Sequence, residues 1–134
     1  MNVRSIAGIV VSIVIWWALF LFLSFAIVFM WPGSESYRQA LFEKGDYSVL
    51  PTGALVALLF MFVVIGLFVG WVTAAITRNE FHAWAVAVPI FLFAAFQHLY
   101  ALWGNLPDWY NIAVVLLIWP FIILGARFRR SPAT

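Results

Sequence analysis

A chain of 134 residues fits one domain, and with 66% hydrophobic and only 9% charged residues it lies outside the composition of water-soluble domains. Its net charge of +2, with no basic run interleaved with aromatic residues, argues against a nucleic-acid partner. The lack of cysteine removes disulfides, thiolate metal sites and cysteine nucleophiles in one step.

The first apolar run extends from Ile6 to Trp31, behind a short segment that carries Arg4. A cleavable leader is the rival reading, with Ser24-Phe25-Ala26 as a small-residue cleavage site. The run continues past that site through Ile27 to Trp31, too long for the apolar part of a leader, so a transmembrane helix is expected. Gly8 and Ser12 place two small residues four apart near its start. Trp16 and Trp17 fall near its middle, where an indole N–H needs a partner or a packed site.

Pro32 to Leu50 is the only extended polar segment. Pro32-Gly33 stops the first helix, Ser34 or Ser36 can cap a short helix running to Lys44, and Gly45 ends it. Tyr37, Ala40, Leu41 and Lys44 share one face, so this short helix is expected to lie along the membrane surface.

The second span covers 52–77, and its run from Gly53 to Thr77 carries no charge. At 1.5 Å per residue that run reaches roughly 37 Å, enough to cross a ~30 Å hydrocarbon core with some tilt. Pro51 suits the first helical turn and Ser48 or Thr52 can cap it, while Arg78, Asn79 and Glu80 end it abruptly. Gly66 and Gly70 form a GxxxG motif and Ala74 continues the same face. Apolar burial gives little drive for helix association in lipid, so such a stripe is expected to form a close helix–helix seam, internal or towards a partner. The competing reading is that glycine is simply frequent in membrane helices.

The third span, 83–103, contains Pro89 and the fourth, 109–126, contains Pro120, and a kink is expected at each. The turn Gly104-Asn105-Leu106-Pro107-Asp108 joins them. Arg4, Arg78, Arg127, Arg129 and Arg130 fall at one side of this four-span plan. Only Arg38 and Lys44, among Glu35, Glu43, Asp46 and Asp108, fall at the other. The positive-inside rule then puts both termini in the cytoplasm. The expected fold is thus an all-α integral membrane protein with four transmembrane helices, a single domain whose loop-poor plan suits a bacterial inner membrane.

No Asp, Glu, Lys or Arg falls inside a span, although such groups mark most ion pathways. The polar candidate is His98 with Gln97 beside it, about five residues from Trp103 and so roughly 8 Å below the outer interface. Tyr100, Asn105, Asp108 and Asn111 are near enough in sequence to complete a polar cap. His98 has three readings: an interhelical hydrogen bond that fixes packing, a polar anchor for a head group or quinone carbonyl, and a metal or haem ligand. The other histidine, His82, is about 24 Å away along the helix, so the two cannot sandwich one haem. No cofactor is therefore assigned, haem and quinone staying open. Glu80 and His82 are read as solvated interface residues.

Trp16, Trp17 and Trp119 lie at mid-membrane depth, either as core filling around the proline kinks or as an aromatic wall for a lipid, quinone or pigment. No GxSxG, HExxH or phosphate-binding loop is present, so an enzyme is not expected. Two functions are carried forward. The first is a non-catalytic accessory or assembly subunit of a larger membrane complex, joined to a membrane-protein partner or its own copies through Gly66, Gly70 and Ala74. The alternative is a binder or carrier of an apolar ligand at His98, Gln97, Tyr100, Trp16, Trp17 and Trp119.

Overall fold

The computed structural model describes residues 1–129 and is all-helical in its regular elements. Of the carboxy-terminal arginines, Arg130 lies outside the described residues. Four helical stretches are long and apolar enough to span a membrane: Val3–Met30, Thr52–Thr77, His82–Ala101 and Asp108–Arg127.

Helix α1 (Val3–Met30) starts earlier than the apolar run, because Asn2 caps it: its side-chain oxygen accepts from the Ser5 backbone N–H at 2.8 Å. The polar residues Arg4 and Ser5 therefore belong to the first helical turn. At the other end Trp31 turns extended before Pro32, as the residue preceding a proline prefers. The last α1 carbonyls are not left bare. Phe29 O accepts from Ser34 Oγ at 2.8 Å and from the Arg38 guanidinium at 3.0 Å, and Val28 O accepts from the Tyr37 hydroxyl at 2.7 Å.

Those contacts fold the polar loop back over the end of α1. The short helix expected from Ser34 to Lys44 is smaller, α2 (Arg38–Glu43), preceded by a tight turn at Ser34–Ser36. Ser34 and Ser36 spend their hydroxyls on Phe29 O and Gly33 O, and so cannot cap it. Tyr37 and Leu41 are buried, and Phe42 stacks on Phe29 with ring centroids 4.8 Å apart. Burial pushes the Tyr37 phenol above its ordinary range, partly offset by Arg38 beside it.

Helix α3 (Thr52–Thr77) starts one residue after Pro51, with no side-chain cap, since Ser48 is held instead by Asp46. It ends where Arg78 takes a left-handed conformation and donates its N–H to Ala74 O at 2.8 Å. Helix α4 (His82–Phe96) stays helical through Pro89, and a further irregularity lies beyond its end. Residues Gln97–Ala101 form a wide π turn closed by Leu102 N–H to Gln97 O at 2.7 Å. The fourth stretch does break at its proline, into α5 (Asp108–Ile118) and α6 (Pro120–Arg127), with Pro120 at the first position of α6.

Helix α3 is the hub, packing most extensively on α6 and then on α1. Gly66 and Gly70 face α6, and Ala74, one turn further on, is buried. A Cβ added at Gly70 would strike the Ile122 carbonyl oxygen, and one at Gly125 would strike the Leu67 carbonyl oxygen. At Gly66 the nearest neighbour would be Phe121 Cβ at 3.2 Å. Two backbones thus touch where side chains are missing, the geometry by which small residues hold helices together in an apolar solvent. Gly8 instead makes room for the side chains of Ile76 and Thr77, where α1 packs on α3.

Candidate functional site

On the opposite side of α3 the packing is open. A cleft of about 610 Å³ lies between α1, α3, α4 and α5, roofed by the folded-back loop. Its size falls in the range of small-molecule sites, and its walls are mostly apolar. The inner wall is a stack of parallel rings. Trp16 lies on Phe20 at 5.2 Å and 12°, and Phe20 lies on Phe62 at 5.7 Å and 19°. Across the gap Trp17 meets Phe93 edge-on at 4.6 Å. Spacing along α1 explains the wall, since Trp16 and Phe20 are four apart and project from one face.

Polar chemistry enters at the π turn. One extra residue per turn shifts the following side chains by about 100° around the helix. The turn leaves His98 buried against α5 and Tyr100 77% exposed. His98 Nδ1 lies 2.9 Å from Asn111 Oδ1, and Asn111 Nδ2 donates to Leu106 O at 3.3 Å. Asn111 is fully buried, and the Tyr110 ring meets the imidazole edge-on at 5.8 Å. A buried amide must satisfy its polar atoms, and here both ends of the Asn111 side chain are used. The remaining ring nitrogen of His98, Nε2, has no partner among the described residues.

A second polar atom lies deeper. The Trp16 indole N–H is sealed from solvent, with the residue only 1% exposed, and it too lacks a hydrogen-bond partner. An orphaned buried donor costs about 1–3 kcal/mol, a cost that the stacking of the same ring on Phe20 offsets. Gln97 also lines the cleft, and its amide makes no hydrogen bond among the described residues.

The structure thus brings together four of the residues singled out by sequence, Trp16, Trp17, Gln97 and His98. It does not bring Tyr100 or Trp119 to them. Tyr100 faces outward with its ring 5.5 Å from Phe96, and Trp119 packs 5.8 Å from Trp84, near the other end of the bundle. Of the proposed polar cap only Asn111 bonds to His98. Sequence reasoning missed Tyr110, Phe62 and Leu106 at the site. Asn111 carried a legible signal, being an amide just inside an apolar span. The Leu106 carbonyl carried none, because a backbone oxygen has no sequence signature.

A second cavity, of about 570 Å³, lies at the opposite end, lined by Arg4, Arg78, Glu80 and Arg129. Arg4 Nε donates to Ile76 O at 2.6 Å, and the Arg129 guanidinium lies 5.9 Å from the centre of the Trp71 ring. No protein-family model, no curated protein and no solved structure matches this chain.

Proposed function

We propose that this chain spans a membrane four times with both termini on the cytoplasmic side, and that it binds a small lipophilic molecule in the cleft beside His98. The topology is supported by charge. Arg4, Arg78 and Arg129 gather at one end of the bundle, and the positive-inside rule assigns that end to the cytoplasm. A bacterial inner membrane suits so loop-poor a plan. The ligand class is an apolar body of lipid, quinone or pigment type, bound and not chemically transformed.

The observation that carries the binding reading is the pairing of an open aromatic cleft with the unpartnered ring nitrogen of His98, Nε2, and the free Gln97 amide on the same wall. Apolar walls supply area, while a few polar atoms supply orientation, which is how small-molecule sites are generally built. The accessory-subunit reading draws less from the fold. The Gly66 and Gly70 face is occupied by α6, so a partner would have to dock elsewhere, on an outer face rich in exposed residues such as Phe22, Phe60 and Leu92.

Extraction in a mild detergent followed by intact-complex mass tests both. A monomer or small oligomer with extra small-molecule mass supports binding, and His98→Ala and Trp16→Ala should each reduce the recovered ligand at least several-fold. A stoichiometric assembly with other membrane proteins, with nothing lost from either variant, would sink the binding reading in favour of the accessory subunit.

A further inference from the structure

The hydrogen bond between His98 and Asn111 has a direction, and a backbone group outside the pair decides it. The Leu106 carbonyl can only accept, so the Asn111 atom 3.3 Å from it must be the amide NH₂. The Asn111 atom that faces the imidazole at 2.9 Å is therefore the oxygen, which can only accept in turn. His98 Nδ1 must then carry the hydrogen. In the neutral ring this leaves Nε2 with a lone pair and no proton. No acidic side chain lines the cleft to balance an imidazolium, so the neutral form is the one the site accommodates.

We infer that the cleft selects lipophilic ligands whose polar end is a hydrogen-bond donor, a phenol or an alcohol, over otherwise equal ligands that offer a carbonyl or ether there. This deepens the binding reading above and rests on it. The hydroxyl hydrogen is donated to His98 Nε2, and the hydroxyl oxygen can accept from the free Gln97 amide. A carbonyl or ether would put its lone pairs against the lone pair of Nε2. Tyr110, edge-on to the imidazole at 5.8 Å, and the fully buried Asn111 hold the ring in place, so it cannot turn to offer Nδ1 instead.

The test uses the full chain in nanodiscs of saturated phosphatidylcholine, with 4-nonylphenol and its methyl ether as probes, followed by tryptophan fluorescence. The expected result is phenol binding about tenfold to a hundredfold tighter than the ether, the ratio that one unsatisfied buried acceptor implies. The ratio should fall to near unity in His98→Phe, and also in Asn111→Leu, where the freed ring can present a hydrogen. Equal binding of both probes to the unaltered protein overturns the donor preference while leaving the cleft a ligand site. Binding of neither probe overturns the ligand reading and this inference with it. Nitrogen-15 NMR of the unaltered protein reads the ring directly and needs no variant to fold: hydrogen on Nδ1 is expected, and hydrogen on Nε2 overturns the assignment.

Discussion

The two sides of α3 are made from the same apolar alphabet and are packed in opposite ways. Towards α6, Gly66, Gly70 and Gly125 remove side chains until backbones touch. Towards α1 and α4, Trp16, Phe20, Phe62, Trp17 and Phe93 place rings at 4.6–6.4 Å from one another and leave about 610 Å³ unfilled. Hydropathy does not distinguish these faces. Side-chain volume does: small residues permit the close approach from which dispersion grows, while rigid rings hold the helices apart and stack only where their planes happen to meet. The seam is thus the part of the bundle that resists change, and the cleft is the part with room to receive something.

The largest effect that would break this contrast is expected at Gly70. Gly70→Val should push α3 and α6 apart and cost roughly 3 kcal/mol or more, since the obstacle is the Ile122 backbone and cannot rotate away. Thermal unfolding of the purified protein should show a large fall in midpoint, and an unchanged midpoint would mean that the seam is not closed. On the cleft side Asn111→Leu should be milder, costing about 1–3 kcal/mol through the lone Nδ1–H and the Leu106 carbonyl it strands.

Trp16→Phe sharpens the contrast in the opposite direction. It keeps a ring on Phe20 and removes the orphaned N–H, so the ligand-free protein should be as stable as before or about 1 kcal/mol more stable. A clear loss of stability would mean that the indole N–H has a structural partner. Gly66→Ala is expected to cost less than the Gly70 change, because Phe121 Cβ lies 3.2 Å away and a shift of a few tenths of an ångström relieves it. A small loss is also expected at Gly33, which has open space around it but a φ of 81°. Gly33→Ala should cost about 1 kcal/mol, from backbone conformation alone.

Much of the fold was legible. Four uncharged apolar runs of sufficient length correspond to four helical stretches, and Pro32-Gly33 and Arg78-Asn79 mark helix ends for reasons internal to those residues. Less of the site could be read. Trp16, Trp17, Gln97 and His98 stood out by residue type and depth, but Trp119, equally deep, packs elsewhere. The π turn at Gln97–Ala101 has no signal in its residues, although it is this turn that sets which side chains beyond it face α5.

What the sequence by itself determined was the existence, number and approximate extent of the four apolar helical stretches, because transfer of an apolar run out of water and satisfaction of backbone groups within a helix are local properties of the chain. What only the tertiary structure decided was rotation: which face of each helix turns inward. Helices α3 and α4 are apolar on every side, so no amphipathic stripe orients them, and contact with neighbours must choose. That choice hides Gly70 against Ile122, joins His98 to Asn111 thirteen residues away, and leaves the Trp16 ring and His98 on the wall of an open cleft.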